Sequence, residues 1–97
     1  MSYTFALTPK AEQEIYESGD WYEEQQEGLG YRFEKEVLEK IKVITKNPLH
    51  YPFKGKWREA GLDKFPFLIT YRVDEDNKTL IIISVFHTSR HPKRKNS

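Results

Sequence analysis

Residues 65–95 read F-P-F-L-I-T-Y-R-V, then D-E-D-N-K, then T-L-I-I-I-S-V-F, and close on H-T-S-R-H-P-K-R-K. Two apolar runs rich in β-branched and aromatic residues flank a short polar insert, the pattern of a β-hairpin. The second run, Leu80 to Phe86, is almost continuously apolar. It is therefore expected at the centre of a sheet, because an edge strand of that composition would offer unpaired backbone to other chains. Directly after it come His87, Arg90, His91, Lys93, Arg94 and Lys95 within nine residues. A rigid strand thus delivers a basic tail, residues 88–97.

Working outward, Tyr3, Phe5 and Leu7 alternate with Thr4 and Ala6, a half-buried strand. Thr8-Pro9 then reads as a helix start, with the hydroxyl as N-cap and proline at the first helical position. Ala11, Ile15, Ser18 and Tyr22 share one face of that helix, Gly19 weakens its middle, and its end is expected near Gly28. Leu29, Phe33, Val37, Ile41 and Ile44 recur at helical spacing, with Leu38 widening the stripe, until Asn47-Pro48 stops the helix. The Gly28–Gly30 connection is so short that the two helices must form an antiparallel hairpin. His50–Lys56 reads as an aromatic loop and Trp57–Ala60 as a short edge strand before the turn at 61–64.

The predicted order is β-αα-βββ: one α+β domain spanning 1–97, with the helical hairpin packed on one face of a small antiparallel sheet of three or four strands. Counting reversals of direction makes the first strand antiparallel to the last if they are neighbours. The second helix is expected to bury Phe33, Val37, Ile41 and Ile44 against Ile81, Ile83 and Val85 or, in the other register, against Leu80, Ile82 and Ser84.

Ninety-seven residues, 32% charged and 37% hydrophobic, suit one modest core and are too apolar for a disordered chain. No apolar run approaches the ~20 residues of a membrane helix, and the first residues do not form a signal peptide. The lack of cysteine removes disulfides and thiolate metal sites and fits a cytoplasmic location. Three scattered histidines lack metal-site spacing, and no cofactor motif is present. The net charge of +1 hides a segregation: seven acidic and no basic residues from Ala11 to Glu27, against ten basic and five acidic from Lys54 to Lys95. Lys54, Lys56 and Arg58 fall on one side if extended. With Arg72, His87, Arg90, Lys93 and Arg94 they form a candidate cationic rim for a target or for phosphate. Each alone has a plainer explanation. Arg72 would pair with Glu59 or Asp74, His87 would be a structural strand-end group, and Arg90 would bond loop carbonyls.

These residues carry a resemblance along nearly the whole chain. The L-T-P-K-A opening of the first helix, the K-N-P after the second, F-P-F-L-I-T-Y-R-V and V-F-H-T-S-R-H-P are similar to toxins of the RelE/ParE superfamily, the small proteins of type II toxin–antitoxin pairs. The ending resembles the ParE-type close, with His91 where an acidic residue is usual. The resemblance implies the β-αα-βββ fold, a cognate antitoxin whose segment lies over the toxin, and a homodimer or a heterotetramer with that antitoxin. It also implies one of two activities. RelE-like members cleave messenger RNA in the ribosome, and here Arg72, His87 and Arg90 would be the catalytic candidates. ParE-like members of plasmid-stabilisation systems inhibit growth by poisoning DNA gyrase through binding. Leu68 stands where the RelE-like strand motif carries an arginine, which favours the ParE-like branch. An inactive member that only binds its antitoxin is the third expectation.

Overall fold

The computed structural model describes residues 3–89. In chain order the elements are β1 (Thr4–Leu7), α1 (Pro9–Gln25), α2 (Leu29–Lys46), β2 (Phe53–Lys54), β3 (Trp57–Gly61), β4 (Phe67–Asp74) and β5 (Thr79–His87). The strands form one sheet in the order β1-β5-β4-β3-β2, so the long apolar strand β5 is interior, as its composition predicts. The helical hairpin covers one face. Its stripe Phe33, Val37, Ile41 and Ile44 forms a single core with Ala60, Phe67, Ile69, Tyr71, Leu80, Ile82 and Val85.

Two expectations about the sheet are corrected. β1 runs parallel to β5, pairing Thr4 with Thr79 and Leu7 with Ile82, so the sheet is mixed rather than wholly antiparallel. The sheet also has five strands, not three or four. Both corrections have one cause. The segment read as an aromatic loop contains β2, which folds back on β3 with Lys54 opposite Trp57. Gly55 at φ 66° and Lys56 form the two-residue turn, where glycine takes the positive φ that the tight hairpin demands. That hairpin adds one reversal of direction, which turns β5 parallel to β1.

The core register follows neither simple alternation. β4 turns Phe67, Ile69 and Tyr71 to the helices, and Thr70 between them is buried as well. On β5 the partners of Thr70 and Tyr71 are Ser84 and Ile82, so Ile83 is an extra residue and the ladder carries a β-bulge. The bulge explains why Leu80 and Ile82 are buried on one side of it and Val85 on the other.

Local chemistry sets the helix ends. Thr8 caps α1, accepting from Ala11 N at 3.1 Å, and Pro9 follows it. The same residue finishes the edge of β5 beyond β1. Its amide donates to Ile82 O and its hydroxyl to Ile83 O, while Val85 N donates to Glu14 Oε1 at 2.8 Å. The first turns of α1 thus satisfy backbone groups that a short β1 leaves open. α1 ends at Gln25, earlier than Gly28, and Glu23 accepts from Gly28 N and Gly30 N at 2.9 and 3.0 Å. This carboxylate satisfies free amides at the start of α2, whose own N-cap Gly28 has no side chain to do so. Gly19 and Gly30 mark the closest approach of the helices, for a Cβ on Gly30 would collide with the Gly19 carbonyl oxygen. It is the missing side chain of Gly30 that admits the α1 backbone, whereas a Cβ on Gly19 would meet only the flexible Glu34 side chain.

Candidate functional site

The face of the sheet away from the helices is fixed by the alternation of β3, β4 and β5 around their buried residues. On β4 it carries Leu68, Thr70 and exposed Arg72, the neighbours of buried Phe67, Ile69 and Tyr71. Across the ladder, Leu68 faces Phe86, Thr70 faces Ser84 and Arg72 faces Ile81. Trp57 and Glu59 of β3 lie on the same side, because Arg58 and Ala60 pair with Tyr71 and Ile69 of the core side. The result is an apolar surface of half-buried Leu68, Ile81 and Phe86, bordered by a polar end.

At that end the β2–β3 turn assembles a row. Lys54 is opposite Trp57, Trp57 lies one step beyond the Arg58–Tyr71 pair and so beside Arg72, and Arg72 is opposite Ile81. Lys56 Nζ stands 5.6 Å from the Trp57 ring centroid. Lys56 thus stands by the indole, and Lys54 and Arg72 neighbour Trp57 by register on the sheet face away from the helices. A cationic patch with an aromatic platform holds anions in two ways, by charge attraction and by stacking of any planar group on the ring. Arg72 makes no ion pair among the described residues, so pairing with Glu59 or Asp74 does not account for it. Its charge is felt by Asp74, whose carboxyl lies below its usual value chiefly through hydrogen bonds from Asn77.

The other proposed residues fall elsewhere. Lys54, Lys56 and Arg58 do not share one side, because the Gly55–Lys56 turn interrupts the extended run. Arg58 pairs with Phe53, its guanidinium 4.2 Å from that ring, and donates to Tyr51 O at 2.6 Å and Leu49 O at 3.3 Å. It holds the 47–52 loop, together with Tyr71, whose hydroxyl donates to Pro48 O at 2.7 Å. Burial pushes the Tyr71 hydroxyl up to about 12. His87 sits at the far end of β5, on the helix-facing side opposite Phe67, with ring centroids 5.2 Å apart. Its Nδ1 accepts from Ser89 N at 3.0 Å, which in the neutral ring leaves the proton on Nε2. Arg72 and His87 are thus on opposite faces of the sheet. Arg90, Lys93 and Arg94 lie outside the described residues.

Trp57 is the residue that the sequence reading passed over as an ordinary strand position. The signal was K-G-K-W: a glycine between two lysines permits the tight turn that folds Lys54 onto the tryptophan. Among the described residues no cluster of three or more His, Asp or Glu could hold a metal ion, and no helix is long and apolar enough to cross a membrane.

Two helices on one face of a five-stranded mixed sheet are the fold of the small RelE/ParE toxins. A family model of the ParE toxin of the type II toxin–antitoxin system parDE matches residues 5–92. The chain belongs to that family, within the RelE/ParE superfamily of type II toxins. The RelE4 protein of Methanocaldococcus jannaschii is 35% identical over 66 residues, which are 63% of this chain and 68% of that one. A chain of the chromosomal ParDE system from P. aeruginosa superposes with a TM-score of 0.76 at 18% identity, over 89% of this chain and 96% of that chain. The intact RelBE toxin–antitoxin complex of E. coli supplies a chain with a TM-score of 0.70 at 16% identity, over 92% and 100% respectively.

Proposed function

We propose that this toxin belongs to the ParE-like branch and arrests growth by binding a gyrase-type topoisomerase in the cytoplasm, as the toxin of a plasmid-stabilisation type of system. The supporting observation is the separation of Arg72 from His87. An endoribonuclease needs a proton-transfer group within hydrogen-bond reach of the cations that stabilise developing charge. Among the described residues the Lys54–Trp57–Arg72 row contains neither histidine nor tyrosine, the carboxylate sharing its face is Glu59, and His87 is on the other face. Tyr71, which neighbours Arg72 in sequence, is buried and donates its proton to Pro48 O. Leu68, at the position where an arginine marks the RelE-like motif, packs half-buried opposite Phe86. The row is suited to holding a partner rather than to cutting one.

A cognate antitoxin is the second partner of this reading. The solved relatives come from ParDE and RelBE toxin–antitoxin systems. An acidic, apolar antitoxin segment matches an open face that is apolar along Leu68, Ile81 and Phe86 and cationic at one end. The RelE-like alternative draws on the same cations, which would serve RNA phosphates as well. The test is a paired assay of the purified chain. Inhibition of supercoiling by gyrase, with ribosome-bound mRNA left intact, is the expected result. Cuts at the ribosomal A site that disappear in His87→Ala would establish the nuclease instead. Absence of both activities in a folded preparation would leave only antitoxin binding.

A further inference from the structure

The cationic row of the open face rests on the shortest strand of the sheet. β2 has two residues and meets β3 through two rungs, Phe53 opposite Arg58 and Lys54 opposite Trp57. A two-stranded ribbon of that length is not stable by itself in water. Side chains alternate along a strand, so the Lys54–Trp57 rung faces the open side and the Phe53–Arg58 rung faces the helix side. The bonding is concentrated on the second rung. The Arg58 guanidinium lies 4.2 Å from the Phe53 ring centroid and donates to Tyr51 O at 2.6 Å and to Leu49 O at 3.3 Å. Glu59 N donates to Pro52 O at 3.1 Å, and the Tyr71 hydroxyl donates to Pro48 O. Four carbonyls of the segment leading into β2 are thus tied to β3 or β4, two of them by one side chain. Phe53 is 60% exposed and is no part of the core, so the guanidinium is what its ring packs on. Lys54, by contrast, forms no ion pair among the described residues.

We propose that Arg58 is the positioning residue of the Lys54–Trp57–Arg72 row, acting from the opposite face of the sheet. Its planar fork stacks on Phe53 while donating to two carbonyls, and so clamps β2 between β3 and the 47–52 loop. A lysine keeps the charge but has neither the plane nor the fork. Without the clamp, two carbonyls and one ring lose their partner, β2 leaves β3, and Lys54 is carried away from Trp57. Trp57 and Arg72 belong to the longer strands β3 and β4 and stay in place. Arg58 therefore serves the row through Lys54 and does not itself touch the partner. The consequence for toxicity rests on the ParE-like reading above, whereas the consequence for the free protein's geometry does not. A direct charge contact with the target would survive Arg58→Lys, and a positioning role does not.

The experiment compares the purified full chain with Arg58→Lys, Phe53→Ala, Lys54→Ala and the double variant Arg58→Lys, Lys54→Ala. In the free proteins, NMR reads the contact between the Lys54 side chain and the Trp57 indole, and hydrogen exchange reads the Glu59 amide that bonds Pro52 O. Arg58→Lys should lose the contact and speed Glu59 exchange at least about tenfold, while the Ile69 and Ile82 amides of the long strands keep their protection. Phe53→Ala, a surface change that leaves the fold standing, should move both readings in the same direction by less. It decides the matter if Arg58→Lys loses protection throughout the sheet. In gyrase supercoiling, Arg58→Lys should need about tenfold more protein despite its retained charge, and the double variant should be no worse than the poorer single variant. An unchanged Lys54–Trp57 contact in both Arg58→Lys and Phe53→Ala would overturn the proposal. So would full inhibition by an Arg58→Lys protein that has lost the contact, or additive losses in the double variant. If the wild type inhibits no gyrase, the ParE-like reading fails, and the contact and exchange measurements still uphold or overturn the positioning role.

Discussion

The two faces of this one sheet differ in how completely they are finished. Under the helices, Phe33 and Phe67 pack with tilted rings and centroids 4.7 Å apart, Tyr22 and Phe65 close the cluster, and the polar hydroxyl of Tyr71 has a carbonyl partner. No buried side-chain nitrogen or oxygen is left without a bond among the described residues. On the other face, Leu68, Ile81 and Phe86 remain half-exposed, and among the described residues Arg72 and Lys54 form no ion pair. Among the described residues the sheet bears apolar side chains on both sides but helices on only one, which leaves the second face to a partner. The first face is where stability resides and the second is where binding is expected. That contrast can be broken by substitution.

The largest effect belongs to the covered face. Phe33→Ala and Ile41→Ala, both essentially inaccessible, should each lower stability by ~2–5 kcal/mol through lost burial and a residual cavity. Leu68→Ala on the open face should cost less than half as much in the same chemical denaturation experiment. Equal losses would dissolve the distinction between the faces.

Tyr71→Phe is expected to cost ~1–3 kcal/mol, because the Pro48 carbonyl loses its donor inside the fold. The same residue gives an alkaline signature. The folded hydroxyl titrates near 12 and the unfolded one near its ordinary 10.0, so the folded state retains a proton that the unfolded state releases. Stability from this source is complete below the ordinary value and is lost as pH rises from there through the folded value. Denaturation midpoints across that alkaline window should fall in the wild type and fall less in Tyr71→Phe. Parallel profiles would contradict the burial of that hydroxyl.

Trp57→Ala and Arg72→Ala should change stability by only ~0.5–1 kcal/mol, as partly exposed or exposed positions do, while abolishing growth arrest on expression. Retained toxicity in both would remove the cationic row from the functional surface. The smallest effect is expected at the β4–β5 turn. Asp74 accepts from Asn77 N and Nδ2, which holds its carboxyl below the usual range. Asp74→Ala should lose a little stability at neutral pH. The deficit should vanish as acid protonates the carboxylate through its lowered folded value.

The parts of this molecule visible in its sequence are those dictated by neighbours a few residues apart. Thr8-Pro9, the Leu29–Ile44 stripe, Asn47-Pro48 and the 65–86 hairpin are local patterns, and each forms as read. What the sequence concealed depends on a single residue changing direction or count. Two residues of β2 are too few to show alternation, yet they reverse the sense of every later strand. The extra residue Ile83 sits inside an unbroken run of isoleucines, where no change of polarity marks a bulge. The site suffered from the first of these. Reading 54–58 as extended put Lys54, Lys56 and Arg58 together, whereas the turn moves Arg58 to the other face and gives Lys54 to Trp57.

The most direct measurement is gyrase supercoiling inhibition by four purified proteins: wild type, Trp57→Ala, Arg72→Ala and His87→Ala. If the open face acts by binding through the tryptophan-centred row, wild type and His87→Ala should inhibit alike. Trp57→Ala and Arg72→Ala should need at least about tenfold more protein, the loss expected of hot-spot residues. Gyrase untouched by the wild type, with ribosome-bound mRNA cut by it and spared by His87→Ala, would contradict this and place the function in the histidine instead.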